Sequence, residues 1–401
     1  MKFNENIINI TPSKSMAMSQ LAKELKKNDP AIIDLSIGEP DFDTPAPIVE
    51  EAVKWMRAGF THYTTGPGLP ETRERIAKKL LDENGIDQDP AGIIICPGGK
   101  FAIYLAVATC CNPGDEVVCV APYWVSYPSI CQSLGLTPVD LELSAAEGYR
   151  ITEEKLRSAV SAKTKMLVIN YPNNPTGLIL HPDEMAAIKK VMKDFPDLLL
   201  LSDEMYERII YDGNKNVSPA ADPEIKDRVI TVNGFSKSVA MTGWRAGYMA
   251  ASKEIAKVAS GFFGHTMTQT CGFIQKACVV ALDQLDAIES MRQSYEKRRD
   301  MFVGGINQID GIHCVVPEGA FYAWAGFDEA LLKKLPGYVP GKKEQSEIVS
   351  EWLLRQCKVS SVPGVAYGVT ESTFVRFCFA AGEDDLKRAI CQIEAGVKAL
   401  G

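Results

Sequence analysis

Four short, largely apolar runs in the middle of the chain constrain its fold more than any other feature: 116–121 (EVVCVA), 166–170 (MLVIN), 198–202 (LLLLS) and 229–232 (VITV). They lack the alternation of a half-exposed strand. Runs of this kind suit strands buried on both faces, as in a parallel sheet covered by helices. Helical patterns such as 182–194 lie between them. This βα alternation implies right-handed crossovers and predicts an α/β fold, a three-layer α/β/α sandwich around a mostly parallel sheet. Ligands of such sheets bind beyond the carboxyl ends of the strands, so chemistry is expected just after each run.

At 401 residues the chain exceeds one ordinary core, and two domains are expected. The reading is a large domain over 46–290 and a smaller, discontinuous α+β domain made of 1–45 and 291–401. The smaller part has its own strand signals at 312–316 and 373–379, approached by a charged helical segment at 286–300. Near the division, Ile48, Val49, Ala52, Val53 and Met56 recur at helical spacing. Thr44 reads as the cap of that helix and Pro45 as its first turn.

The net charge of −8 is spread along the chain, which argues against nucleic acid or an anionic membrane as partner. No apolar run approaches the ~20 residues that span a bilayer. The first ten residues lack a basic segment followed by an apolar run, and the 11 cysteines form no CxxC pair. A cytoplasmic protein with reduced thiols is expected. With four histidines besides, no metal site is expected.

Six segments carry candidate chemistry. The first is Ser236-Lys237-Ser238 with Met241-Thr242-Gly243-Trp244-Arg245. A lysine attacks an aldehyde only when partly neutral, and burial or nearby cations make it so. Ser236 and Arg245 suit a phosphate dianion. The second is Asp203, directly after the run 198–202, with Tyr206 three residues on. A carboxylate there can keep a ring nitrogen protonated and make the ring an electron sink. The third is Tyr171-Pro172-Asn173-Asn174-Pro175, a rigid turn that can fix the Asn174 amide. The fourth is Pro97-Gly98-Gly99-Lys100, opening a helix whose N-terminus attracts an anion. The fifth is Trp124, able to stack on a flat ring. The sixth is Arg376 in Phe374-Val375-Arg376-Phe377. Burying it requires an anion, either a ligand carboxylate or an internal salt bridge. Taken singly, each has an ordinary explanation: a solvated lysine, a turn, a core tryptophan.

Taken in order, from Ile37-Gly38-Glu39-Pro40 to Arg376, these segments resemble the class I/II aminotransferases of fold type I. The match is nearest the prokaryotic aspartate and aromatic branch, which His62-Tyr63-Thr64-Thr65-Gly66 also resembles. The resemblance implies pyridoxal 5′-phosphate as cofactor and amino acids and 2-oxo acids as substrates. It implies that Lys237 holds the cofactor and moves the proton, with Asp203 at the pyridine nitrogen. Tyr206 and Asn174 would hold the ring oxygen, and Trp124 would stack on the ring. Ser236, Arg245 and the backbone at Gly99-Lys100 would hold the phosphate. Tyr63 would reach that phosphate across a subunit boundary, which makes a homodimer with shared sites part of the expectation. Arg376 and the Gly38 backbone would bind the α-carboxylate, with Trp124 and Asn174 beside it.

The same resemblance assigns a distal carboxylate to Lys100 and Ser15, which favours aspartate and glutamate as donors. Against this, Phe262 and Phe263 suit an aromatic-accepting pocket, unless they are core residues. A broad or aromatic aminotransferase and a C–S β-lyase of the same fold are the alternatives. A ligand-sensing module of a transcription regulator would carry a basic N-terminal segment, which this sequence lacks.

Overall fold

The computed structural model describes residues 1–10, 12–340, 345–369 and 373–401. Its centre is a seven-stranded sheet of β1 (Ile93–Cys96), β2 (Glu116–Ala121), β3 (Thr137–Glu142), β4 (Thr164–Asn170), β5 (Leu199–Asp203), β6 (Val229–Gly234) and β7 (Gly247–Ala250). The spatial order is β1-β7-β6-β5-β4-β2-β3. The neighbours from β6 through β3 pair in parallel; β7 is antiparallel to both β1 and β6. The four expected strands are present, shifted by one or two residues at some ends. β3 gave no apolar run because it is an edge strand, TPVDLE, with only Leu141 buried. β7 (GYMA) is four residues long and opens on a glycine.

Helices cover the sheet as expected, including Pro182–Asp194. Among the described residues no helix is long and apolar enough to cross a membrane. A second sheet has β8 (Ile312–Val315), β9 (Tyr322–Phe327), β10 (Val362–Pro363) and β11 (Phe374–Cys378), in the order β10-β11-β9-β8, all antiparallel. It has its own core, with Phe302, Phe321, Phe327 and Phe377 at its centre. The helix Leu285–Ile306 runs into that core, and Ile33–Asp34 pairs in parallel with Val359–Ser360.

One expectation fails. The helix after Thr44 spans Ala46–Arg57, with Pro45 as the residue before it and no side-chain cap. The Thr44 hydroxyl instead donates to the Ala240 carbonyl (2.7 Å) and accepts from the Trp244 indole (3.0 Å). A long-range partner outcompetes the local cap, and it ties this segment to the loop after Lys237.

Behind β5, Lys79 of the helix Pro70–Asn84 is 2% exposed and pairs with buried Glu207. Burial alone would raise the Glu207 pKa; the Lys79 charge and the Asn84 amide outweigh it and hold the carboxyl below its ordinary value. Removing one member of such a pair leaves an uncompensated buried charge, which costs about 3–5 kcal/mol. Lys79→Met should therefore destabilise the protein by about that amount at pH 7 in urea unfolding. The deficit should shrink toward pH 4, where the stranded Glu207 accepts a proton. A deficit independent of pH would contradict the ion-pair account.

Candidate active site

The carboxyl ends of β4, β5 and β6 converge as the parallel register requires. Asn170 lies opposite Asp203, and Asp203 opposite Val232. The Asn170 amide donates to the Asp203 carbonyl (2.9 Å), and its oxygen accepts from the Asn174 backbone (2.9 Å). This fixes the turn whose Tyr171–Pro172 peptide is cis. Beyond these ends lies a cavity of about 360 Å³. Gly38, Gly99, Lys100, Trp124, Asn174, Asp203, Tyr206, Ser236, Lys237, Arg245, Arg376 and Ser15 all line it. Tyr63 does not; it is 86% exposed, away from the cavity.

The Lys237 amine donates to the Gly38 carbonyl (2.6 Å). Desolvation lowers its pKa to about 8, and the charges of Arg376 and Arg245 push the same way. At neutral pH the amine is thus partly neutral, the state a nucleophile or general base needs.

Asp203 is 6% exposed. Burial raises its pKa to about 6, although the Tyr127 hydroxyl, the Met205 N–H and the Lys237 charge all favour its anion. Tyr127 donates to Oδ2 (2.7 Å) and Met205 N–H to Oδ1 (3.2 Å). Among the described residues no lysine or arginine forms an ion pair with it. A buried carboxylate in this state suits a cationic ligand atom.

The opposite requirement holds at the start of the helix Gly99–Cys110, where backbone N–H groups lack helical acceptors. Gly98 adopts φ +88°, and a Cβ there would lie 2.5 Å from Arg245 Nη2. Glycine suits that backbone conformation and leaves room for the Arg245 guanidinium, whose Nη1 bonds the Thr242 carbonyl (2.9 Å). With buried Ser236 alongside, this end of the cavity suits a phosphate.

Arg376 is 3% exposed, and among the described residues no carboxylate pairs with it. Nη1 donates to Asn174 Oδ1 (3.0 Å) and Nη2 to the Ser36 carbonyl. Its guanidinium lies 4.5 Å from the Tyr322 ring and 5.4 Å from that of Tyr367, and Nε has no partner. The internal salt bridge that could have explained this arginine is therefore absent from the described residues. Lys100 faces the same cavity 5.0 Å from the Trp124 ring, its pKa lowered by desolvation and by the Arg245 charge.

The phenylalanines that suggested an aromatic pocket lie elsewhere. Phe263 is fully buried against Phe101, and Phe262 is partly exposed on the helix Lys253–Thr266; neither lines the cavity. Three important residues escaped the sequence reading. Asn170 had a usable signal, a polar residue closing an apolar run. Tyr127 lies three residues after Trp124, on the helix Ser126–Ser133 that follows it. Tyr322 had none, because an inward tyrosine in an apolar strand looks like core.

Residues 30–393 match the family described as aminotransferase class I and II. The chain belongs to that family. It is 37% identical over 401 residues to the aspartate aminotransferase of Geobacillus stearothermophilus, covering all of both chains. It is 34% identical over 394 residues to the aspartate/prephenate aminotransferase of Cereibacter sphaeroides, covering 98% of each. The crystal structure of the Rhizobium meliloti aspartate aminotransferase superposes with a TM-score of 0.94 at 35% identity, over 99% of both chains. This aminotransferase uses pyridoxal 5′-phosphate. The cavity fits that cofactor at both ends, with a buried carboxylate lacking a cation at one and a glycine-lined helix start beside Arg245 at the other.

If the Lys237 amine is the group that attaches the cofactor, attachment to the cofactor-free protein should quicken roughly tenfold between pH 6.5 and 8 and then level off, following the depressed pKa of about 8. A rate still climbing beyond pH 10 would mean that Lys237 behaves as an ordinary solvated lysine.

Proposed function

We propose that this aminotransferase takes dicarboxylic donors, aspartate or glutamate, with 2-oxoglutarate and oxaloacetate as acceptors. The observation that carries the reading is a pair of cations without carboxylate partners among the described residues. Arg376 and Lys100 both face the cavity that holds Lys237. One suits an α-carboxylate and the other a distal carboxylate, with Ser13 and Ser15 nearby on the wall. Relatives named as aspartate and as aspartate/prephenate aminotransferases support it.

On this reading Arg376 and the Gly38 backbone grip the α-carboxylate and bring Cα toward the Lys237 amine. Pyridoxal phosphate supplies the electron sink for the charge left at Cα. Lys237 takes the Cα proton as general base and returns it at the cofactor's C4′. Asp203 keeps the ring nitrogen protonated, and Tyr127 holds that carboxylate in place. Tyr206 and Asn174 bind the ring oxygen, and Trp124 packs on the ring face. Ser236, Arg245 and the N–H groups of Gly99 and Lys100 bind the phosphate. A second oxo acid runs the sequence backward, with ping-pong kinetics.

The exposed position of Tyr63 fits a homodimer in which it completes the partner's phosphate site. The two sheets, neither sharing a strand with the other, fit a large domain over 46–290 and a small one from 1–45 and 291–401. The absence of disulfides among 11 free cysteines fits a reducing, cytoplasmic setting.

Two variants test the substrate assignment by steady-state kinetics. Arg376→Leu should raise KM about ten- to a hundredfold for every amino donor, because it removes a charge-assisted pair common to all. Lys100→Met should raise KM about tenfold or more for aspartate while leaving phenylalanine within twofold. Equal effects of Lys100→Met on both donors would remove the distal-carboxylate role.

A further inference from the structure

Tyr322 is assigned no part by the sequence reading, yet it touches two functional groups at once. Its hydroxyl lies 2.7 Å from the Tyr206 hydroxyl, and its ring lies under the Arg376 guanidinium at 4.5 Å. The approach is tight. A Cβ on Gly38 would come within 2.1 Å of the Tyr322 hydroxyl, so the absent side chain at that position makes room for it. Both tyrosines are buried, and burial raises the pKa of each far above the ordinary phenol value. Both therefore remain protonated across the working pH range, and between them they hold two O–H protons.

The proton count decides the direction of the bond. In the protein without cofactor either hydroxyl can donate to the other. If Tyr206 gives its single proton to the cofactor's ring oxygen, its bond with Tyr322 survives only with Tyr322 as donor. A phenol that accepts a hydrogen bond becomes a better donor itself.

We propose that Tyr322 is a positioning residue that donates to Tyr206, strengthens Tyr206 as the donor to the cofactor's ring oxygen, and uses its ring to hold Arg376 for the substrate carboxylate. This rests on the reading that Tyr206 binds the ring oxygen. A better donor at Tyr206 stabilises negative charge on that oxygen. The oxygen and the nitrogen linked to Lys237 share one proton, so the nitrogen then loses its proton at lower pH.

The test is a pH titration of the visible absorption band of the holoenzyme, which reads this protonation and not turnover. Tyr206→Phe should raise the midpoint, and Tyr322→Phe should raise it by a smaller step of about half a unit to one unit. In the double variant the Tyr322 change should add nothing to the Tyr206→Phe shift, because Tyr322 acts only through Tyr206. Tyr322→Phe keeps the ring under Arg376, so the KM for aspartate should stay within twofold, whereas Tyr322→Leu should raise it several-fold. A shift with Tyr206→Phe but none with Tyr322→Phe, or additive shifts, would overturn the proposal alone. No shift with Tyr206→Phe would overturn the placement of the cofactor on which it rests.

Discussion

Three ionisable groups lie in or at the edge of one desolvated cavity, and among the described residues none forms an ion pair. Asp203 is buried with its pKa raised, Lys237 has its amine depressed to about 8, and Arg376 lies between two tyrosine rings without a carboxylate among the described residues. Each is unfavourable in isolation, since burying an unpaired charge opposes folding. The surrounding fold tolerates them because it is large, with extensive apolar clusters packed against both sheets. A ligand with a cationic ring nitrogen and an anionic carboxylate relieves two of them together. Binding to the folded form alone then adds to its stability by mass action.

The geometry of these groups follows from topology more than from any one loop. Parallel strands β4, β5 and β6 all end at the same edge, so Asn170 and Asp203 meet there by register. The residues before the helix Ala46–Arg57 then close over that edge. Lys237 holds the Gly38 carbonyl, Thr44 bonds the Ala240 carbonyl, and Arg298 pairs with Asp41 at 2.6 Å. Arg376 arrives from the second sheet, opposite Trp324 in register. Chain segments more than 300 residues apart thus meet at one point, as the bond from Arg376 to the Ser36 carbonyl shows.

Much of this was legible in the sequence, for physical reasons. Strands buried on both faces must be apolar, so β2, β4, β5 and β6 announced themselves, and the polar residues just beyond them marked the site. Lys237, Arg245 and Asn174 stood out because their neighbours made an unusual local pattern. What was hidden depended on long-range contact. The Thr44 hydroxyl looked like a helix cap and became a tether to Ala240. Tyr127 and Tyr322 were not singled out, since their hydroxyls matter only through partners 76 and 116 residues away. Phe262 and Phe263 suited either an aromatic pocket or the core, and they lie on the helix Lys253–Thr266 outside the cavity lining, with Phe263 packed in the core against Phe101.

The most direct measurement is a visible absorption spectrum of the purified holoenzyme before and after adding aspartate, and separately phenylalanine, with no oxo acid present. The account requires a cofactor band that aspartate alone converts to the pyridoxamine form, with one equivalent of oxaloacetate released per site. Equal conversion by phenylalanine would contradict the dicarboxylic assignment, and no cofactor band after reconstitution would contradict the placement of pyridoxal phosphate on Lys237.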